Sequence, residues 1–131
     1  MKNIAYLLRF WPVFGGGETV TRILANELVS RGNNVFVYYL WDRTEGVDAY
    51  LDERIICRRV ENMSPPCGYE SIAKKDYTAM KESLASFLKA DKIDVVINQR
   101  WPSKLVYDVR NTQGGGGGSR KVSSRKYAGT L

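Results

Sequence analysis

The chain has 131 residues, a length that suits one domain, and 44% of them are hydrophobic, enough to build a core. It carries a formal net charge of +6, two cysteines and no histidine, which excludes Ser-His and Cys-His catalytic pairs and most zinc sites. The charge is uneven. Arg120, Lys121, Arg125 and Lys126 put +4 into a final segment without acids, leaving +2 for the rest of the chain, so the basic balance gives no reason to expect nucleic-acid binding by the body.

No apolar run approaches the roughly 20 residues needed to span a membrane. At the start only Ile4 to Leu8 are continuously apolar, shorter than the about 7–15 residues of a secretory core, with no small-residue cleavage site after them. The expectation is a soluble, cytoplasmic chain in which Cys57 and Cys67 are reduced thiols.

In chain order, residues 3–8 form a short apolar run that predicts a buried strand. The loop from Arg9 to Gly17 leads into a helix over residues 18–31, with Val20, Ile23, Leu24 and Leu28 at helical spacing. Glu18/Arg22 and Glu27/Arg31 are i,i+4 pairs in the favourable order, and Gly32 stands where a terminating glycine belongs. Residues 35–40 and 54–60 predict two further strands. The stretch 61–69, with Pro65, Pro66 and Gly68, is a loop. Tyr77, Met80, Leu84, Phe87 and Leu88 mark a second helix, closed by Lys89 and Lys92 at its negative end. Residues 93–97 read as a fourth strand, and a short helix from Ser103 uses Leu105, Val106 and Val109. Almost continuously apolar strands alternating with helices predict an α/β fold, a Rossmann-like parallel sheet with helices on both faces.

Two regions are expected: a Rossmann-like domain over 1–112, and a Gly-rich linker with a basic, disordered tail over 113–131. Five glycines, Gly114 to Gly118, precede a Ser/Lys/Arg-rich segment without periodicity. A genuine domain could end here, but a parallel sheet ending after its fourth strand would leave an open edge, so the expectation is a domain cut short by truncation, frameshift or engineering.

The informative segment begins Phe14-Gly-Gly-Gly-Glu18. Gly15, Gly16 and Gly17 join the first strand to a helix start, where backbone amides and the positive dipole end are open to an anion. The dinucleotide pattern Gly-x-Gly-x-x-Gly and the Walker pattern both fail here. Position alone leaves two readings: a phosphate cradle, or a tight turn.

The longer run is more specific. Gly16-Gly17-Glu18 and Leu24-Ala25-Asn26-Glu27-Leu28-Val29-Ser30-Arg31-Gly32-Asn33-Asn34-Val35, with the later strand Ile93-Asp94-Val95-Val96-Ile97, resemble the first strand–loop–helix and the Asp-Val-Val strand of family 4 glycosyltransferases, over residues 1 to about 110. The resemblance implies the N-terminal, mainly acceptor-binding lobe of a GT-B enzyme, whose glycine loop closes onto the donor diphosphate. It further implies a retaining transfer from a nucleotide-sugar donor to a sugar or lipid-linked acceptor, some contact with a membrane surface, and a C-terminal lobe that nothing here matches. The nucleotide-sugar would be a substrate, and no cofactor or metal is implied. Without the second lobe, the chain is expected to be inactive.

No catalytic residue can be assigned. Many relatives carry a histidine roughly where Gln99 stands, and an amide cannot act as a general base at neutral pH. Arg9, Trp11, Asn98, Gln99, Arg100 and Trp101 are expected to line the cleft at the carboxyl edge of the sheet. Arg9 suits a phosphate or a solvated position, and Trp11 a sugar ring or the loop's own packing. Glu18 reads as favourable dipole placement, and Arg54, Arg58 and Arg59 as a solvated strand edge. The alternative to a transferase lobe is a non-catalytic Rossmann-like module that binds a phosphate, a nucleotide or a partner chain.

Overall fold

A computed structural model of the chain describes residues 1–12, 16–43, 50–67, 71–113 and 121–124. Strands β1 (Asn3–Pro12), β2 (Asn34–Arg43), β3 (Ile56–Arg59), β4 (Val95–Asn98) and β5 (Lys121–Ser124) form one sheet in the order β3-β2-β1-β4-β5. Every pairing is parallel. Helix α1 (Gly16–Ser30) connects β1 to β2, α2 (Tyr77–Ala90) connects β3 to β4, and α3 (Ser103–Gln113) connects β4 to β5, as parallel crossovers usually do.

Strand alternation sends side chains to two cores. Ile4, Tyr6 and Leu8 of β1 pack with Val35 and Val37 under Ala25 and Val29 of α1. Ala5 and Leu7, with Phe36, Tyr38 and Leu40, face the other way, under Met80, Leu84 and Leu88 of α2 and Leu105, Val106 and Val109 of α3. This is the expected Rossmann-like sheet covered on both faces.

The details depart from expectation at three places. First, β1 and β2 run on to Pro12 and Arg43, four and three residues beyond the apolar runs, because their backbones pair in register from Asn3↔Asn34 to Pro12↔Arg43. Second, α1 buries Thr21, Arg22, Ala25 and Val29 and leaves Ile23 61% exposed. The small Ala25, not the larger Leu24, faces the sheet. Third, the sequence offered no element beyond Gln113, yet Lys121–Ser124 pairs with β4 from Val95↔Lys121 to Asn98↔Ser124, satisfying the edge that would otherwise be open. Gln113, expected to open the linker, is the last residue of α3; residues 114–120 and 125–131 lie outside the described residues.

Gly32 ends α1 with φ +94°, its amide donating to Val29 O at 2.9 Å and that of Asn33 to Leu28 O at 3.1 Å. A Cβ is disfavoured at this φ, which accounts for the glycine. The Glu27–Arg31 pair forms at 2.7 Å on the exposed face.

Candidate functional site

The carboxyl edge of the sheet gathers the loop after β4, the end of β1 and the start of α1. The loop is held by β1: the amides of Gln99 and Arg100 donate to Leu7 O at 3.1 and 3.3 Å, and the Trp101 indole donates to Leu8 O at 2.9 Å. Asn98 closes the turn on itself, its Nδ2 donating to Trp101 O at 2.9 Å while its Oδ1 accepts from Trp101 N at 2.8 Å. Both polar ends of Asn98 are used, so its work here is to shape the turn.

That turn brings two neighbouring side chains against α1, one turn apart. Gln99 is buried, and its Nε2 donates to Thr21 Oγ1 on α1 at 3.3 Å. Arg100 is exposed. Its Nη2 lies 3.9 Å from where a Cβ on Gly17 would stand, at the second residue of α1. Arg9 reinforces the arrangement, its Nε donating to Arg100 O at 2.8 Å. A guanidinium and the positive end of a 15-residue helix therefore converge, a combination suited to a phosphate-like group. Glu18 shares the first turn of α1, where its carboxylate favours the helix and opposes an incoming anion.

Of the residues expected to line the cleft, Arg9, Arg100 and Gly17 are brought together here. Gly15 lies outside the described residues, and Gly16 opens α1. Trp11 and Trp101 are 2% and 3% exposed and belong to the two cores. Of the two roles open for Trp11, its burial favours packing.

The arginines of the β3 region are ion-paired. Arg58 binds Asp91 with contacts of 2.8 and 2.6 Å, and Tyr38 OH donates to the same carboxylate at 2.6 Å. Arg54 binds Asp52 at 2.8 Å, a bond that holds the Asp52 carboxyl well below the usual carboxylate range. Arg59 reaches Asp42 at 2.6 Å and Glu61 at 3.4 Å. Tyr39 donates to the other oxygen of Asp42 at 2.8 Å, and burial, then this bond, pushes its hydroxyl up to about 12.

A second group at the same edge was not anticipated. Phe10 and Trp41, partners across β1 and β2, lie 5.1 Å apart between ring centroids, and the Arg43 guanidinium sits 5.1 Å over the Phe10 ring. The sequence hid it because these residues lie past the apolar runs, in stretches that read as loops. Among the described residues no cluster of histidine, cysteine or acidic side chains could hold a metal ion, and no helix is long and apolar enough to cross a membrane. Both cysteines are free thiols.

Comparison with solved structures decides the architecture. The chain superposes on the lipopolysaccharide outer core galactosyltransferase WaaB with a TM-score of 0.64 and 19% identity, over 96% of this chain and 36% of that one. It superposes on a UGT transferase from Siraitia grosvenorii, solved in complex with UDP, with a TM-score of 0.61 and 15% identity, over 94% and 27%. The fold is that of one lobe of a GT-B glycosyltransferase. The chain thus spans about a third of the length of these transferases. No protein-family model and no curated protein matches it in sequence.

Proposed function

We propose that this chain is the acceptor-side lobe of a retaining glycosyltransferase, which moves a sugar from a nucleoside-diphosphate donor to an acceptor hydroxyl once a second lobe supplies the rest of the donor site. The observation that carries the reading is the Arg100 guanidinium set beside Gly17 at the start of α1. Departure of the nucleoside diphosphate builds negative charge on its terminal phosphate. A guanidinium and the amides of a helix start stabilise such charge more in the transition state than in the ground state. Gly17 lets the anion approach, since no side chain stands between it and the backbone. The UDP held by one structural neighbour agrees with a donor of this class. β1 holds the loop that carries Arg100.

Donor and acceptor must be held together for transfer, so the 131-residue chain alone should bind a diphosphate weakly and transfer nothing. Titration of the labelled chain with UDP, followed by NMR, should move the amides of Gly17, Glu18 and Arg100 and leave the opposite end of the sheet unchanged. Shifts confined to other regions would remove the donor assignment. Sugar transfer by the chain alone, above a heat-inactivated control, would show that no second lobe is needed. With the second lobe joined, the anomeric configuration of the product reports whether the reaction is retaining.

A further inference from the structure

Two successive turns of α1 meet two successive residues of the loop after β4: Gly17 stands against Arg100, and Thr21 against Gln99. The second contact is the unusual one. Thr21 is fully buried and Gln99 is 5% exposed, so a hydroxyl and an amide have left water to bond each other at 3.3 Å. Burying such groups costs free energy that one long hydrogen bond does little more than offset. Two apolar side chains of the same shape would join loop and helix about as firmly. What the polar pair adds is direction, because apolar contact is non-directional and a hydrogen bond is not. Direction matters at this end of the helix. Among the described side chains of α1, Thr21 is the first buried one, about one turn past Gly17. The buried apolar anchors, Ala25 and Val29, lie farther along, and so do the bonds of Asn26 to Tyr50 O and Asp52 N. A helix gripped at its far end can still swing at its start.

We infer that the Gln99–Thr21 bond is a positioning latch. It sets where the first turn of α1 stands against the β4 loop, and so how well Gly17 and the helix start receive the donor diphosphate. Gln99 and Thr21 are positioning residues, acting through the helix start. The loop end of the latch is itself tied to the central strand, since the Gln99 amide donates to Leu7 O of β1 at 3.1 Å. The register of β1 is thereby passed through Gln99 to the helix. This deepens the transferase reading and rests on it, because the anion at the helix start is assigned there.

The test is a UDP titration of the labelled full chain and its variants, read at the amides of Gly17 and Glu18, with melting temperatures measured alongside. Thr21→Val keeps the shape and removes the acceptor. It should weaken UDP about fivefold per folded molecule, the worth of one ordinary hydrogen bond, and lower the melting temperature, because the Gln99 amide stays buried without a partner. Thr21→Ser keeps the hydroxyl and should bind UDP nearly as the wild type does. Thr21→Val combined with Gln99→Leu makes the contact apolar on both sides. Its melting temperature should return to the wild-type value, while UDP stays about fivefold weak. A bond that served stability alone would not separate the two readouts. Should Thr21→Val fail to fold, the double variant carries the test. Normal UDP binding by the double variant or by Thr21→Val, or a Thr21→Ser chain as weak as Thr21→Val, would each overturn the latch alone. If UDP leaves Gly17 and Glu18 of the wild type unmoved, the donor assignment falls and the latch falls with it.

Discussion

The two ends of the sheet are built from different chemistry. At the amino edge, short amides and carboxylates lace the strands together. Asn3 Nδ2 donates to Lys92 O at 3.0 Å, its backbone amide to Asp94 Oδ2 at 2.9 Å, and its Oδ1 accepts from Asn34 Nδ2 at 2.7 Å. Lys2 N closes onto Asn33 Oδ1 at 2.9 Å. At the carboxyl edge the side chains are arginines, aromatic rings and a glycine helix start. Short side chains that bond one another seal an edge. Long cations, aromatic rings and a helix start give the other edge a different chemistry. The same backbone topology thus carries a structural end and a receptive end, and substitutions on each should report through different measurements.

The largest expected effect contrasts two adjacent tyrosines. Tyr38 is fully buried against Asp91, and burial first, then that bond, pushes its hydroxyl far above the ordinary tyrosine range. Burial and the bond to Asp42 push the Tyr39 hydroxyl up to about 12. Both folded values exceed the unfolded value of about 10, so the unfolded chain releases these protons first. The associated stability is whole below about pH 10 and is lost as pH rises through the folded values. Alkaline titration by tyrosinate absorbance and circular dichroism should therefore show Tyr38 ionising together with unfolding. Reversible ionisation of Tyr38 near pH 10 in an intact fold would contradict its burial.

Next in size is the closed side. Asp91→Ala removes the acceptor shared by Tyr38 and Arg58, and the Asp91 side chain is only 5% exposed. Because Arg58 keeps 38% exposure, water relieves part of its loss, and urea denaturation should show about 2–3 kcal/mol of destabilisation. UDP-induced shifts, corrected for folded fraction, should not change. Arg100→Gln should do the reverse, weakening UDP about tenfold, roughly 1.4 kcal/mol, with an unchanged melting temperature. If it melts early instead, Arg100 belongs to the scaffold.

The smallest effect is the sharpest. A Cβ on Gly17 meets only the Arg100 side chain, at an ordinary 3.9 Å. Gly17→Ala should therefore leave the fold intact or stabilise it by about 0.4–1 kcal/mol through the unfolded state. It should still weaken UDP several-fold by standing where the phosphate approaches. Unaltered UDP binding would reduce Gly17 to a turn residue.

The strand cores, the heptad-like face of α2 and the end of α1 at Gly32 were legible because apolar spacing and a glycine stop are local signals. A helix start after the glycines and on the same sheet edge as Arg100 was legible, although α1 begins at Gly16 and not at Glu18. The orientation of α1 was not: Val20, Ile23 and Leu24 are larger than Ala25, yet the strand surface accepts the small residue and Ile23 points out. The use of Asn98 in the turn, the link between Gln99 and Thr21 and the stacking of Arg43 on Phe10 were also hidden. The first is a local bond that residue type alone does not announce, the second joins a loop to a helix, and the last lies on parts of β1 and β2 whose strand character comes from register, not from composition.

The central place of β1 has a consequence for synthesis. Its partner on one side, β2, ends at Arg43, and its partner on the other, β4, begins only at Val95. A ribosome adding about 5–20 residues per second leaves one edge of an apolar strand without its neighbour for several seconds. During that interval Ile4 to Leu8 offer a ready template to any other nascent strand, so crowded expression should favour aggregation. Slower initiation, which spaces successive chains apart, should raise the yield of folded protein.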